Sequence, residues 1–202
     1  MRSQILECAK QMFFKRGIKP VTLDDIAKHL RISKKTLYVY FKNKDELVNS
    51  LFVSHLEIHR AAVERVHEQA KDVIEELLHI MYHSSEMVNE INPGLFDDLR
   101  AYYPKAWKYF EKFKQEYILE RLIQSFEKGQ KQGLIRKNVN LKLVAYMRLQ
   151  QIDLLMRADF LREINTTVFD THKEITEFFI YGIATDKGIA LMNKYINEKS
   201  KK

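Results

Sequence analysis

Between residues 26 and 44 the chain carries Lys28, Arg31, Lys34, Lys35, Lys42 and Lys44 and no Asp or Glu. A solvated helical surface ordinarily interleaves its charges. A surface of one sign suits a polyanion instead, particularly with the hydroxyls of Ser33 and Thr36 and the phenols of Tyr38 and Tyr40 set among the cations. Phosphates accept from ammonium and hydroxyl donors alike. The chemistry implied is recognition rather than bond making. No nucleophile elbow, P-loop or dinucleotide glycine pattern occurs anywhere in the chain.

The elements that must position these residues can be read from caps and periodicity. Thr22 offers a hydroxyl as N-cap, and Asp25 three residues on can reach back to complete a capping box. Leu23, Ile26, Ala27 and Leu30 then form one apolar stripe at i, i+3, i+4 and i+7. Ser33 is a second cap, so the first of two short helices ends near Leu30 and the chain turns at Arg31 and Ile32. The second helix covers about 34–41, with Leu37 and Phe41 inward and Lys34, Lys35, Thr36, Tyr38 and Tyr40 outward. In a helix-turn-helix the second helix enters the major groove with its N-terminal residues toward the base edges. Here those residues are Ser33, Lys34, Lys35 and Thr36. Lys34 and Lys35 have the chemistry to read guanine O6 and N7, and Thr36 a base edge or a thymine methyl.

The run ISKKTLYVYFKNKDEL, preceded by TLDDIAKHL and by a helix ending FFKRGIKPVT, resembles the DNA-binding region of TetR-type bacterial transcriptional regulators over residues 5–51. The resemblance implies a dimeric repressor with a C-terminal ligand domain. It adds Thr22 and Lys44 as phosphate contacts and makes Tyr38 and Tyr40 phosphate contacts as well. One departure is Arg31, which occupies the corner where the family often has Gly. If that corner needs a positive φ, Arg carries strain of about 1 kcal/mol.

The totals agree with a soluble globular chain. It has 202 residues, 46% hydrophobic and 30% charged, with only six Gly and three Pro, which points to mostly helix. The net charge of +7 is uneven: residues 1–50 hold eleven Lys/Arg against five Asp/Glu, and residues 51–202 hold twenty-three against twenty-two. The basic excess therefore belongs to the proposed DNA-binding part and not to a generally sticky surface. The single Cys, Cys8, falls on the apolar side of a first helix expected over 2–16. It reads as a small core residue rather than a redox sensor, and it suits a reducing cytoplasm. No stretch has the length or hydropathy of a signal peptide or membrane span.

After the helix-turn-helix, a helix from 44 to about 67 is expected to link two domains, with Leu47, Leu51, His55 and Ile58 inward. A helix over 72–89 comes next, then a break at Ile91-Asn-Pro-Gly. A short helix over 95–103 is bracketed by Pro93 and Pro104. A long helix over 105–132 ends at Gly133. Helices over 141–162, 170–184 and 186–199 and a frayed tail complete an all-α chain. Phe96, Tyr102, Tyr103, Trp107, Phe110, Phe113 and Met147 form an aromatic-rich centre. Such residues ordinarily just pack; the functional alternative is an apolar ligand cavity between helices.

The histidine pairs His55/His59 and His79/His83, with Glu64-x-x-His67 and Glu76-x-x-His79, echo the motifs of carboxylate di-iron bundles. Without matching inward Glu elsewhere, partly exposed helix histidines are the simpler reading, and neither a metal nor another cofactor is expected. The helices over 141–162 and 170–184, with Leu155, Met156, Phe178, Phe179, Gly182, Ile183 and Ala184, are the candidates for self-association. The resemblance pairs two such helices from each subunit.

The resulting expectation is an N-terminal three-helix DNA-binding domain, residues 1–46, and a C-terminal ligand-binding and dimerisation domain, residues 47–202. Together they make a cytoplasmic, non-enzymatic homodimer. It holds a palindromic double-stranded operator and releases it when a small, largely apolar or aromatic effector binds, with no membrane partner. A helical metalloenzyme, a regulator without a ligand and a non-specific architectural DNA protein are the competing readings.

Overall fold

The computed structural model describes residues 1–89, 91–92 and 94–199, with the backbone alone for residues 87–89 and 158. The expected bracket residue Pro93 and the tail beyond 199 lie outside them. Twelve helices are assigned among the described residues: α1 Arg2–Arg16, α2 Leu23–His29, α3 Lys34–Tyr40, α4 Lys44–Gln69, α5 Val73–Asn89, α6 Gly94–Tyr102, α7 Pro104–Phe113, α8 Leu119–Lys131, α9 Leu141–Leu155, α10 Ala158–Glu163, α11 Val168–Ile183 and α12 Asp186–Lys199. The extended pairing found among these residues is an isolated bridge between Ile135 and Ala184.

Local chemistry explains the helix starts. The Thr22–Asp25 capping box opens α2. Ser33 Oγ accepts from Thr36 N to open α3, and Asn43 Oδ1 accepts from Glu46 N to open α4. Each such cap stabilises its helix by about 1 kcal/mol. Arg31 has φ 55°, so the corner does place a non-glycine residue in the left-handed region. Cys8 is buried among the α1 side chains, and burial raises its pKa, as a core thiol requires.

Packing joins the N-terminal helices to α4 and α6. Ile5, Phe13, Ile26, Leu37 and Phe41 share one core with Leu47 and Leu51 of α4 and with Leu95, Phe96 and Leu99 of α6. A second core lies between α5, α8, α11 and α12, around Ile74, Leu78, Phe126, Ile180 and Met192. Leu56, Phe110 and Phe113 form a smaller cluster between the two.

Three expectations are corrected. Ile58 is 63% exposed, not inward. The buried face of α4 continues through Phe52, Leu56 and Val63, and two residues along a helix turn the side chain by about 200° from Leu56. The helix expected over 141–162 ends at Leu155, and α10 starts after the extended residue Arg157. Met156 packs against the N-terminal core and Leu161 is buried as well: the bend brings both Met156 and Leu161 to the core, although side chains five apart on a straight helix diverge by about 140°. The long helix after Pro104 is continuous but contains a π-helical turn, Lys114–Ile118, between α7 and α8. Lys114 is buried there and forms ion pairs with Glu111 and with Asp153 of α9.

Candidate nucleic-acid interface and ligand cavity

On α3 the division between core and surface is sharp. Leu37 and Phe41 are fully buried. Ser33, Lys34, Lys35, Tyr38 and Tyr40 are exposed and Thr36 is half-buried, so these six residues make up the solvent side of α3, with Tyr38 and Tyr40 on different faces of it. Burying Leu37 and Phe41 contributes about 1.5–3 kcal/mol each and fixes which way that side faces.

Several hydroxyls and cations of this surface already have partners. Ser33 Oγ lies 2.8 Å from Thr36 Oγ1. Thr22 Oγ1 donates to Asp25 Oδ2 at 2.6 Å while accepting from Asp25 N. Lys34 Nζ pairs with Asp24, and hydrogen bonding to that carboxylate raises the lysine pKa. The acid-free run read from the sequence therefore has an acidic neighbour just upstream, one helix away in the fold.

Lys44 is placed differently from the phosphate contact expected of it. Its Nζ donates to the carbonyls of Ile18 at 2.6 Å and Lys19 at 3.3 Å and lies 5.9 Å from the Phe13 ring. Burial lowers its pKa. The ammonium ties the start of α4 to the end of the α1 region. Arg2 is likewise engaged, over the Phe41 ring at 5.1 Å and on Ser50 Oγ at 3.2 Å.

Asp98 makes a junction the sequence did not signal. From α6 its Oδ2 accepts from Ile18 N at 2.9 Å and Lys19 N at 2.8 Å. Asn92 N donates to Phe14 O at 2.6 Å close by. The loop before the helix-turn-helix is thus clamped between Asp98 of α6 and Lys44 of α4.

Both clamping helices also wall an enclosed, mostly apolar cavity of about 160 Å³. α4 contributes Phe52, His55, Leu56 and His59, and α6 contributes Phe96 and Leu99. Of the seven residues expected to line a cavity, Phe96, Phe110 and Phe113 do so. Tyr102, Tyr103, Trp107 and Met147 do not, each for a visible reason. Tyr102 is 53% exposed at the end of α6, with Lys19 Nζ 5.3 Å above its ring. Tyr103 is buried in the N-terminal core, where burial and the nearby carboxylates of Asp45 and Asp98 push its pKa up to about 12. Trp107 is half-buried against the N-terminal core and the Phe110–Phe113 cluster, with the Arg100 guanidinium 4.7 Å from its ring. Met147 is 51% exposed on the outer face of α9.

The cavity's polar members were missed or misread. His59 stacks on His83, ring centroids 5.7 Å apart and nearly parallel. His55 Nε2, His59 Nδ1 and His83 Nε2 are buried without hydrogen-bond partners among the described residues. Burial holds His55 and His59 down to about 4, so both are neutral at pH 7. Among the described residues no three His, Cys, Asp or Glu side chains converge as metal ligands would. Glu76 is fully buried and accepts from Ser125 Oγ, with His67 Nδ1 3.0 Å away, so it joins α5 to α8 and α4, while His79 of its Glu-x-x-His spacing is exposed. Arg148 and His172 also line the cavity. The available signal was Arg148 itself, a cation on the stripe of α9 that also carries Ala145 and Leu149.

Comparison with known proteins bears on the N-terminal helices first. Residues 5–51 match the family described as bacterial regulatory proteins, tetR family. Residues 5–51 are thus a DNA-binding region of the tetR type. The chain is 24% identical over 168 residues to the HTH-type transcriptional regulator YvaF of Bacillus subtilis, covering 82% of this chain and 87% of that one. A regulator from Saccharomonospora viridis solved in complex with choline shares the fold at TM-score 0.76, with 17% identity over 91% of this chain and 97% of that one. FadR of Bacillus subtilis, solved with stearoyl-CoA, shares it at TM-score 0.67, with 20% identity over 91% of this chain and all of that one. The protein is a DNA-binding transcriptional regulator of all-α architecture, with the helix-turn-helix at its N-terminal end. No helix among the described residues is long and apolar enough to cross a membrane.

Proposed function

We propose that this chain is a homodimeric repressor of the TetR family. Residues 1–46 hold a palindromic operator, and residues 47–202 bind a small, largely apolar effector and the second subunit. Ser33, Lys34, Lys35 and Thr36 face the bases. Thr22, Tyr38 and Tyr40 contact phosphates, and Lys44 positions the loop that carries them. The observation that carries this reading is the exposed cationic, hydroxyl-bearing side of α3 set over the fully buried Leu37 and Phe41.

Self-association is supported by apolar area left open on adjacent helices. Leu143, Tyr146 and Met147 of α9 and Phe178 and Tyr181 of α11 are all exposed, and Gly182 faces open space beside them. Phe179, Ile183 and Leu155 are buried within the monomer and belong to its own core. Two recognition helices in such a dimer would sit about 34–36 Å apart, one DNA turn.

Release is a population shift. A ligand in the cavity touches α4 and α6 together, and Lys44 and Asp98 of those helices clamp the loop at Ile18 and Lys19. A ligand that prefers the arrangement with a different recognition-helix spacing lowers operator affinity by its differential binding energy. The working compartment is the cytoplasm, where the chromosome is, and no catalytic role or cofactor is assigned.

Selection from a random duplex pool tests the reading. A palindromic site should emerge, and charge reversal at Lys34 and Lys35 should weaken binding and reduce the salt slope by about 2. Equal affinity for random and selected duplexes at about 150 mM salt would favour an architectural DNA protein and sink the proposal.

A further inference from the structure

Arg148 is 6% exposed and lines the cavity from α9. A guanidinium taken out of water ordinarily meets a carboxylate, because an uncompensated buried cation is costly. This one meets neutral groups. Its Nη1 donates to Gln151 Oε1 at 3.2 Å, and its Nη2 lies 2.6 Å from Thr176 Oγ1 and 3.1 Å from His172 Nε2. Its carbon lies 5.5 Å from the Phe179 ring centroid. No ion pair among the described residues includes it, and three of a guanidinium's five donors are accounted for.

The neighbouring histidine adds no negative charge. Arginine can only donate, so His172 Nε2 accepts and its Nδ1–H is left to donate to Ser85 Oγ, 2.9 Å away. Burial and the adjacent guanidinium hold the His172 pKa down to about 3, which keeps the ring neutral. Burial also pulls the Arg148 pKa to about 10, with no opposite charge offsetting it.

The rest of the lining has the same bias. The cavity wall contains Arg121, Arg148, His55, His59 and His172 and, among the described residues, no Asp or Glu. Arg121 is already paired with Glu64 at 2.5 Å. Arg148 alone of the two arginines lacks its counter-ion. Elsewhere the wall includes hydrocarbon and rings from Phe52, Leu56, Phe110 and Phe113. The volume of about 160 Å³ is of the order that admits benzene in an engineered apolar cavity, so it suits a body of roughly six to ten carbon atoms.

We propose that the effector is a small apolar monocarboxylate whose carboxylate seats on the unpaired donors of Arg148 while its aryl or medium-chain alkyl body lies against Phe52, Leu56, Phe110 and Phe113. This rests on the ligand-cavity reading above and narrows it to one charge and one size. The site rejects cations, because its fixed charge is positive, and it rejects long chains, because the volume runs out.

Calorimetric titration of the full chain with three probes sharing one tail tests this: octanoate, octan-1-ol and octyltrimethylammonium. Octanoate should bind at least about tenfold more tightly than octan-1-ol, and the cation should not compete with it. Arg148→Met should erase the preference for the anion while octan-1-ol binds as before, which also reports an intact cavity. Equal binding of octanoate and octan-1-ol, or tighter binding of the cation, to the unsubstituted chain overturns the monocarboxylate and leaves the apolar cavity standing, whether or not the variant folds. Survival of the preference in Arg148→Met removes Arg148 from the site. Failure of both octanoate and octan-1-ol to bind overturns the cavity reading along with it.

Discussion

Thr22, Ser33 and Asn43 each place a side-chain oxygen on the amide three residues ahead, and at this scale the sequence is at its most readable. Caps are local, so residue type and spacing suffice to find them. The partners of Lys34 and Lys44 were not readable in the same way, because Asp24 and the carbonyls of Ile18 and Lys19 come together only through the fold. The histidines carry a prediction that belongs here. His55 packs edge-on against Phe14 with Lys10 and Glu7 near it, and His59 faces His83 and His55. Their folded pKa values near 4 lie below the unfolded value near 6.5, so the unfolded chain takes up protons first as pH falls. Stability is full above about pH 6.5 and declines toward pH 4, by up to about 1.4 kcal/mol per pH unit for each histidine. Denaturant midpoints measured from pH 7.5 to 5 should show that decline, and His55→Leu and His59→Leu should each flatten it. An unchanged slope in both variants would mean the rings are solvated.

Among the helices, α1 to α3 are legible because a period of 3.6, turn residues at 17 and 20 and caps at 22 and 33 mark their limits. The π-helical turn and the bend after Leu155 have no such mark. An i→i+5 bond needs no special residue, and the bend at Arg157 has no Gly or Pro beside it to announce it. Asp98 was also silent, since one carboxylate in the sequence GLFDDLRAY looks like any solvated helix face. Its two bonds to Ile18 and Lys19 make it the joint between the cavity helix and the DNA-binding helices. Asp98→Ala should cost about 1.5–3 kcal/mol for each charged hydrogen bond lost, read by chemical denaturation. Exchange of the Ile18 and Lys19 amides should speed up in parallel. If effector binding and operator binding then remain fully coupled, the signal runs through α4 alone.

For the whole molecule, the charge asymmetry and the all-helical class were fixed by composition, and both hold. The cavity was legible only in part. Aromatic content pointed to the right helices, but three phenylalanines face inward while Tyr102, Trp107 and Met147 serve other surfaces. One sequence cannot distinguish a ring that packs from a ring that borders empty space, because both sit at helical spacing. Dimerisation is the prediction at this scale. Phe178 is 67% exposed and Met147 51%, on two helices packed against each other. Phe178→Glu together with Met147→Glu should give a folded monomer by sedimentation, and should abolish binding to a palindrome while sparing weak binding to a half-site. A dimer that survives both substitutions would place the interface elsewhere.

The wide turn at Lys114–Ile118 has a consequence for how this scaffold can be altered. An ordinary α-helix advances about 100° per residue, and the π turn absorbs one residue more than an α turn does. Everything downstream is therefore rotated by about that angle relative to an uninterrupted rod, and Arg121, Leu122 and Ser125 owe their view of the cavity to it. A one-residue deletion inside the turn would redraw the far wall of the chamber while leaving Phe110 and Phe113 where they are. The ion pair from Lys114 to Asp153 pins that phase against α9, the helix that also bears Arg148.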